Sequence, residues 1–297
     1  MSTLSDLSQA LADTVAQAGS GVVRVEARRR LPATGIVWSA DGLIITAHHV
    51  VKRDDNITIG LADGASVSAS VVGRDPTTDT AVLRADASEL TPLTESDKKN
   101  LGVGHLALAL GRPGKTVQAT LGIISALGDS WRTPWGGQID RYLQTDVVMY
   151  PGFSGGPLVD ANGRLIGLNT SGLSQGVSLA VPTSTLARVA DALLAHGRMR
   201  RGYLGVNTQR VHLPENIQAE LGQKSGLLIV SAEADSPAAQ GGLTLGDTIV
   251  AFGDTAVSHH DDLLAQLSSD RVGTAVPVKI LRGGKLETVD VTVGERA

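Results

Sequence analysis

A serine flanked by glycines is the residue of this chain whose surroundings most favour chemistry. Ser154 stands in the stretch Pro151–Leu158, which reads PGFSGGPL. Glycines on both sides allow a sharp turn that exposes a hydroxyl and directs backbone N–H groups toward one point. Acyl transfer needs such a nucleophile, with donors placed where an oxyanion forms. Gly-rich turns that contain serine are also common in ordinary loops, so this stretch alone leaves a plain turn open.

Two upstream segments supply the other residue types that an activated serine requires. His48 and His49 follow an apolar, β-like run, and Asp75 and Asp79 precede another. The chain order histidine, aspartate, serine is that of the chymotrypsin-type triad. A lipase or esterase places its serine first, so the order disfavours that class. A structural histidine and an aspartate that caps a strand edge are the alternatives for the two segments.

Together the three segments resemble the catalytic motifs of the HtrA/DegP-type serine proteases, a branch of the trypsin-like peptidases. The resemblance implies that His49 is the general base, Asp79 its orienting carboxylate and Ser154 the nucleophile, with His48 a neighbour. It implies an oxyanion hole built from the backbone of Gly152, Phe153 and Ser154. This family commonly has asparagine where Phe153 stands. We therefore expect the ring to narrow the cleft or to favour an inactive turn.

Composition excludes several classes of function. The chain has 297 residues, a net charge of −4 and no cysteine. The charge suggests no nucleic-acid partner, and the missing thiols exclude disulfides, a cysteine nucleophile and thiolate metal ligands. We expect neither a cofactor nor a metal. The first 18 residues read as an amphipathic helix and not as a signal peptide, which predicts a cytoplasmic location, or the cell envelope if the chain has been trimmed.

Strand-like runs and turns predict a mainly β protein. Six runs between residues 21 and 84 and six between 105 and 181 predict two β-barrels, followed by a helix over 182–195. The resemblance implies a chymotrypsin-like double β-barrel followed by an α+β PDZ domain. We place the protease domain at 1–197, a basic linker at 198–202 and the PDZ domain at 203–297.

Three loops are expected to shape the function of the first domain. Arg28–Arg30 reads as a solvated charge run, with a docking patch as the alternative. Asp129–Gly137 carries two tryptophans and either gates the cleft, packs on a neighbouring subunit or folds over its own barrel. By resemblance, an extended substrate pairs along Ser178, Leu179 and Ala180. The loop before them has no acidic residue, which predicts a small or medium apolar P1 side chain.

The segment Tyr203-Leu204-Gly205-Val206 resembles a PDZ carboxylate-binding loop, to which Arg200 or Arg201 adds positive charge. Ser236 and Ser258 are predicted to cap two helices, and His259 and His260 to be exposed helix-start residues. The resemblance implies an ATP-independent endopeptidase of protein quality control that acts on unfolded polypeptides. It also implies C-terminal peptides as PDZ ligands and a homotrimer or higher homo-oligomer, with no membrane span. The alternative is a latent protease that acts as a peptide-binding or chaperone-like module.

Overall fold

The polypeptide divides into two compact units, Met1–Met199 and Arg200–Ala297. The structure is a computed structural model that describes residues 3–97, 101–174, 176–200, 202–267 and 271–295. In the described residues, no helix combines the length and apolar character needed to cross a bilayer.

The first unit contains two closed six-stranded antiparallel barrels. This confirms the predicted double-barrel architecture. Barrel one has the strand order β1-β2-β3-β6-β5-β4, with β1 at Val22–Glu26, β2 at Ala33–Val37, β3 at Leu43–Ala47, β4 at Ile57–Gly60, β5 at Ser66–Asp75 and β6 at Thr80–Ala85. Every residue of β2 and β3 is buried, because both lie between neighbouring strands and against the core.

Barrel two has the order β11-β14-β13-β12-β7-β8. Its strands are β7 at Leu106–Gly111, β8 at Gln118–Gly128, β11 at Tyr142–Thr145, β12 at Pro157–Asp160, β13 at Leu165–Thr170 and β14 at Ser178–Pro182. A short hairpin, β9 at Trp131–Arg132 and β10 at Gln138–Ile139, lies outside both barrels.

Two helices flank the barrels. Helix α1, Thr3–Gly19, buries its C-terminal part against barrel two. Leu4 and Leu7 of its predicted apolar stripe are instead 77% and 47% exposed. Helix α2, Thr183–His196, buries one apolar face and ends at Gly197, whose φ of +69° is a common helix-terminating conformation of glycine.

The second unit is a sheet in the order β16-β17-β18-β20-β21 with short helices. Its elements are β15 at Gly202–Tyr203, β16 at Val206–His212, α3 at Glu215–Leu221, β17 at Ser225–Ala232, α4 at Pro237–Gln240, β18 at Thr248–Phe252, β19 at Thr255–Ala256, α5 at His260–Gln266, β20 at Ala275–Arg282, β21 at Lys285–Thr292 and β22 at Gly294–Glu295. Ser236 caps α4 as predicted. The prediction for Ser258 is wrong, since His259 caps α5 in a capping box with Asp262.

Candidate active site

His49 and Asp79 form a hydrogen-bonded pair at the end of barrel one. His49 lies in a single 3-10 turn that follows β3 directly. Its backbone N–H donates to Asp79 Oδ1 at 2.8 Å, and its ring Nδ1 lies 2.7 Å from Asp79 Oδ2. An ionised carboxylate there requires the proton on Nδ1 and leaves Nε2 as a proton acceptor. The Asp79 side chain is 5% exposed and that of His49 29%, so the ring alone reaches solvent.

The other aspartate of this segment has a structural role. Asp75 accepts the Thr77 N–H at 3.0 Å and the Thr78 hydroxyl at 2.7 Å. These bonds shape the turn between β5 and β6, which presents Asp79 at φ +53°, a left-handed conformation in which aspartate is enriched. The geometry therefore pairs Asp79, and not Asp75, with the imidazole.

Barrel two holds the Asp79 carboxylate from its other side. The Thr170 hydroxyl, at the end of β13, donates to Asp79 Oδ2 and accepts the Gly172 N–H at 2.9 Å. A Cβ at Gly172 would lie 2.4 Å from Asp79 Oδ2 and 2.9 Å from His49 Nδ1. Only glycine at this position lets the backbone pass so close to the pair.

Ser154 lies in a turn that both barrels hold in place. The Thr34 hydroxyl, on β2, donates to the Gly152 carbonyl at 2.7 Å, and the Thr34 N–H donates to the Ser154 carbonyl at 3.3 Å. Gly155 has φ +89°, and a Cβ there would lie 2.2 Å from the Thr34 carbonyl oxygen. The glycines around Ser154 are therefore required by this close approach of the two barrels.

The turn leaves two amides available and turns the third away. Within the described residues, the N–H groups of Gly152 and Ser154 have no acceptor. The Phe153 N–H donates to the Tyr150 carbonyl at 3.0 Å, so Phe153 separates the two available amides without contributing its own. The ring is fully buried over Gly111 and contacts Tyr150 edge-on, with centroids 5.7 Å apart. Because it fills the core of barrel two, it does not narrow the cleft.

The Ser154 hydroxyl has a partner that the sequence did not indicate. Its Oγ lies 3.1 Å from Ser171 Oγ. Across the described residues, no hydrogen bond joins Ser154 to the imidazole of His49. The serine and the His49–Asp79 pair thus share one site with the hydroxyl turned toward Ser171.

A cavity of about 380 Å³ connects these groups. Its walls include His49, Ser154 and Ser171, together with Arg28 and Arg30 from the loop between β1 and β2. Arg29 and Arg30 are exposed, as predicted for a solvated charge run, and Arg28 is half-buried. Arg28 and Arg30 nevertheless line the same cavity as the serine.

The predicted substrate strand is already paired on both sides. On β14, Leu179 faces Gln144 of β11 and Thr170 of β13, Ser178 faces β11, and Ala180 faces β13. An added peptide strand cannot pair at Leu179, so this part of the prediction is wrong. Residues 171–173 follow β13 and belong to no ladder within the described chain, which makes them the better candidate for main-chain pairing.

Two neighbouring features fit structural roles. Burial lowers the pKa of His48, and the nearby charge of Asp79 offsets this only in part. The two-tryptophan loop folds back onto its own unit: the Thr133 hydroxyl donates to the Thr77 carbonyl at 2.8 Å, and Trp131 packs edge-on against Tyr142.

In the second unit, the predicted carboxylate loop has free donors. The Leu204 carbonyl accepts the Ala238 N–H, and the Gly205 carbonyl accepts the Glu233 N–H. The amides of Leu204 and Gly205 have no acceptor in the part of the chain described here. Gly205 has φ +78°, and a Cβ there would lie 2.3 Å from Ser236 Cβ. The next strand, beginning at Val206, is an edge strand.

The charges predicted beside this loop are differently placed. The Arg200 Nε lies 3.1 Å from Glu295 Oε2, so its charge is already paired, and Arg201 lies outside the described residues. His260 is exposed as predicted, and its Nε2 lies 2.8 Å from the Thr208 carbonyl oxygen of β16.

Sequence reasoning missed Thr34, Thr170, Ser171 and Gly172. Each belongs to a strand or strand end far along the chain from the residue that it contacts. No local pattern distinguishes these from other small strand residues, because their role exists only once the barrels close.

Comparisons with known proteins identify the family to which both units belong. Residues 33–168 match a family described as trypsin-like peptidase domain, and residues 202–293 match a PDZ domain. A probable periplasmic serine endoprotease DegP-like of Pseudomonas putida is 35% identical over 267 residues, covering 88% of this chain and 55% of the relative. The corresponding protein of Chlamydia trachomatis is 36% identical over 276 residues, covering 91% and 55%. The chain thus spans about half the length of these curated relatives.

Solved structures match over almost their whole length. The HtrA-type protease AlgW, solved with a decapeptide, has a TM-score of 0.78 at 30% identity, covering 97% of this chain and 99% of that one. A serine endoprotease from Yersinia pestis has a TM-score of 0.78 at 31% identity, covering 97% and 98%. Two trypsin-like barrels, one PDZ domain and these matches together show that the chain belongs to the HtrA/DegP family of serine proteases.

Proposed function

We propose that this chain is an ATP-independent serine endopeptidase that cleaves unfolded or misfolded polypeptides. The observation that carries the proposal is that His49, which is hydrogen-bonded to Asp79, and Ser154 line one cavity. Beside the hydroxyl lie the amides of Gly152 and Ser154, which have no acceptor among the described residues. Nucleophile, base, orienting carboxylate and oxyanion donors are the full set that peptide hydrolysis requires.

Each group then has a defined step. Ser154 Oγ attacks the scissile carbonyl carbon as its proton passes to His49 Nε2, and Asp79 stabilises the resulting imidazolium. The carbonyl oxygen becomes an oxyanion that accepts the N–H groups of Gly152 and Ser154. His49 returns the proton to the leaving amine as the C–N bond breaks. Water, deprotonated by the same ring, hydrolyses the acyl-enzyme and restores the serine.

The contact between Ser154 and Ser171 defines the resting state from which this cycle starts. In the proposed cycle, rotation of the Ser154 hydroxyl from Ser171 toward His49 precedes attack. Catalytic hydrogen bonds are often long or absent without substrate and form in the Michaelis complex. A peptide that pairs along residues 171–173 would lie beside Ser171 and promote this rotation.

The second unit is proposed to bind peptide C-termini. The free amides of Leu204 and Gly205 suit a carboxylate, and the edge strand β16 suits β-augmentation by the peptide. His260 occupies the Thr208 carbonyl of that strand, so an incoming peptide must displace the ring. A homotrimer or higher homo-oligomer is proposed on family grounds. A small or medium apolar P1 residue is proposed because the loop before β14 has no acidic residue.

A second candidate function is a latent protease that holds peptides without cutting them. The observation in its favour is that Ser154 Oγ lies 3.1 Å from Ser171 Oγ, whereas no hydrogen bond joins it to His49 among the described residues. Under this alternative the serine stays unreactive until another ligand reorganises the site.

The test compares wild type with Ser154→Ala on denatured casein. A control variant, Ser20→Ala, removes an exposed hydroxyl at the end of α1. We expect cleavage by wild type and the control, and none by Ser154→Ala. Labelling of Ser154 by a fluorophosphonate, read by intact mass, separates the alternatives, because only a serine beside a working base and oxyanion hole reacts quickly. No cleavage and no labelling by wild type would overturn the endopeptidase proposal.

A further inference from the structure

Two arginines beside the serine form an unassigned, positively charged wall of the cavity. Arg28 and Arg30 line it together with Leu31, across from Tyr150. The lining contains no aspartate or glutamate in the part of the chain described. Ser154 lines the same cavity, so a substrate bound for cleavage lies in the space that these two cations line.

The local contacts orient one guanidinium without neutralising it. Arg28 Nε donates to the Leu31 carbonyl at 2.6 Å, and its Nη2 lies 3.4 Å from the Pro32 carbonyl oxygen. These acceptors are neutral, so the positive charge stays uncompensated. Arg30 is exposed and has no hydrogen bond or ion pair within the described residues.

Several other arginines of the same unit are paired with a carboxylate, whereas Arg112 and Arg132 bond to backbone carbonyls. Arg24, Arg74 and Arg84 each contact a carboxylate, at 2.7, 2.5 and 2.5 Å. Arg28 and Arg30 have no such partner among the residues described. Their guanidinium groups therefore keep free donors, which match a carboxylate through two parallel hydrogen bonds.

The position of the loop indicates which part of a substrate meets this charge. A Cβ at Gly152 would lie 3.0 Å from the Pro32 carbonyl oxygen, so the arginine loop abuts the proposed oxyanion hole. Residues 171–173, proposed to pair with the acyl part, belong to no ladder in the described chain, and Gly172 among them lies beside Asp79 and His49. The loop is thus placed to contact residues of the leaving group.

We propose that Arg28 and Arg30 form a subsite that binds a carboxylate on the leaving-group side of the scissile bond. This inference rests on the proposed protease function. The carboxylate is either an Asp or Glu side chain close after the cleaved bond or the C-terminus of a short peptide. The subsite makes the enzyme selective for acidic sequences or for chain ends.

The experiment measures a ratio of kcat/KM values on matched, internally quenched peptides. One series carries Asp or Asn at the second position after the cleaved bond, with an amidated C-terminus that the PDZ site cannot use. In a second series the peptide ends at the second position after the cleaved bond, either as a free acid or as an amide. A third carries Asp or Asn at the second position before the bond. The variants are Arg28→Gln/Arg30→Gln, Arg30→Gln alone and, as control, Arg29→Gln, whose residue does not line the cavity.

We expect wild type and Arg29→Gln to favour the carboxylate after the bond by about fivefold, as for an exposed charge pair. The preference should weaken at high salt, halve in Arg30→Gln and vanish in the double variant. The single variant Arg30→Gln leaves the Arg28 hydrogen bonds to Leu31 and Pro32 in place. Its effect therefore reports on charge even if the double variant disturbs the loop. Equal rates for Asp and Asn in wild type, a preference that survives the double variant, or a preference only before the bond would each overturn the subsite.

A binding measurement separates this failure from that of the proposed function. The Asp and Asn peptides are titrated into Ser154→Ala and into the same background carrying Arg28→Gln/Arg30→Gln, with fluorescence anisotropy as readout. Tighter binding of the Asp peptide that depends on the arginines supports the subsite even if wild type cleaves nothing. Cleavage of neutral peptides with no difference in either assay leaves the protease intact and refutes the subsite.

Discussion

Thr34 ties the serine turn of barrel two to barrel one, and replacing it with valine tests that connection. Its hydroxyl donates to the Gly152 carbonyl at 2.7 Å and accepts the Arg112 N–H at 2.8 Å. The residue is fully buried. Valine has nearly the same shape, so Thr34→Val removes both hydrogen bonds while the core volume hardly changes.

The expected loss of stability follows from the two groups left without a partner. Each unsatisfied buried donor or acceptor costs about 1–3 kcal/mol, so the free energy of unfolding should fall by about 3 kcal/mol. For a unit of this size, that corresponds to a decrease in Tm of about 9 °C. The Gly152 carbonyl also loses its anchor beside the proposed oxyanion hole. We therefore expect kcat/KM to fall by about tenfold to a hundredfold, as for a displaced oxyanion donor.

All three tryptophans lie in the first unit, at positions 38, 131 and 135. Denaturant unfolding followed by tryptophan fluorescence therefore reports on that unit alone. Thr34→Ser keeps the hydroxyl and should retain most of the stability and activity. Thr58→Val on β4 is the matched control, because its hydroxyl has no hydrogen bond within the described residues. A Thr34→Val protein as stable and as active as the Thr58 control would refute the reasoning.

Three further perturbations have defined outcomes. Gly172→Ala places a methyl 2.4 Å from Asp79 Oδ2. The displaced carboxylate no longer orients the base, so kcat/KM should fall at least about a hundredfold. A fall under tenfold would contradict this. Ser171→Ala removes the hydroxyl that contacts Ser154, and the lost hydrogen bond is worth about 1 kcal/mol. Fluorophosphonate labelling of Ser154 should therefore become about fivefold faster. Slower labelling would show that the Ser171 hydroxyl assists catalysis. Burial alone raises the pKa of Asp247, but hydrogen bonds from Arg282 and Thr244 outweigh it and hold the pKa below its ordinary value. That stabilisation is present above the unfolded pKa of about 4 and is lost as the pH falls through the folded pKa. Arg282→Gln should therefore weaken hydrogen-exchange protection of the second unit at pH 7, and less so near pH 3; an equal loss at both pH values would contradict the charge argument.

The candidate catalytic residues could be predicted from three short segments, because each segment has a local sequence pattern that requires a particular backbone conformation. Glycines around Ser154, a histidine after an apolar strand and an aspartate at a tight turn are local patterns. The alternation of apolar residues likewise predicted the two barrels, and their closed six-stranded sheets confirm it. In the second unit, the hairpin of β20 and β21 was missed although Gly283 and Gly284 are a strong two-residue turn signal.

Long-range contacts decided what the local patterns left open. The Asp79 carboxylate is held beside the imidazole by the Thr170 hydroxyl of barrel two, and the orientation of the Phe153 ring depends on the space over Gly111. Leu179 is paired on both edges because the fold places β14 between β11 and β13. The alternation of side chains along a strand can be predicted from its own sequence. Whether each edge of the strand is hydrogen-bonded to a neighbour depends on strands distant in the chain.

The arginine loop illustrates the same division. Its sequence determined that three consecutive cations follow the first strand, and that no acidic residue adjoins them. Only the closed barrels brought Arg28 and Arg30 to the wall of the cavity that contains Ser154. Residue type and local turn geometry are properties of the chain, but the distance between a charge and a nucleophile more than a hundred residues away is set by tertiary packing alone.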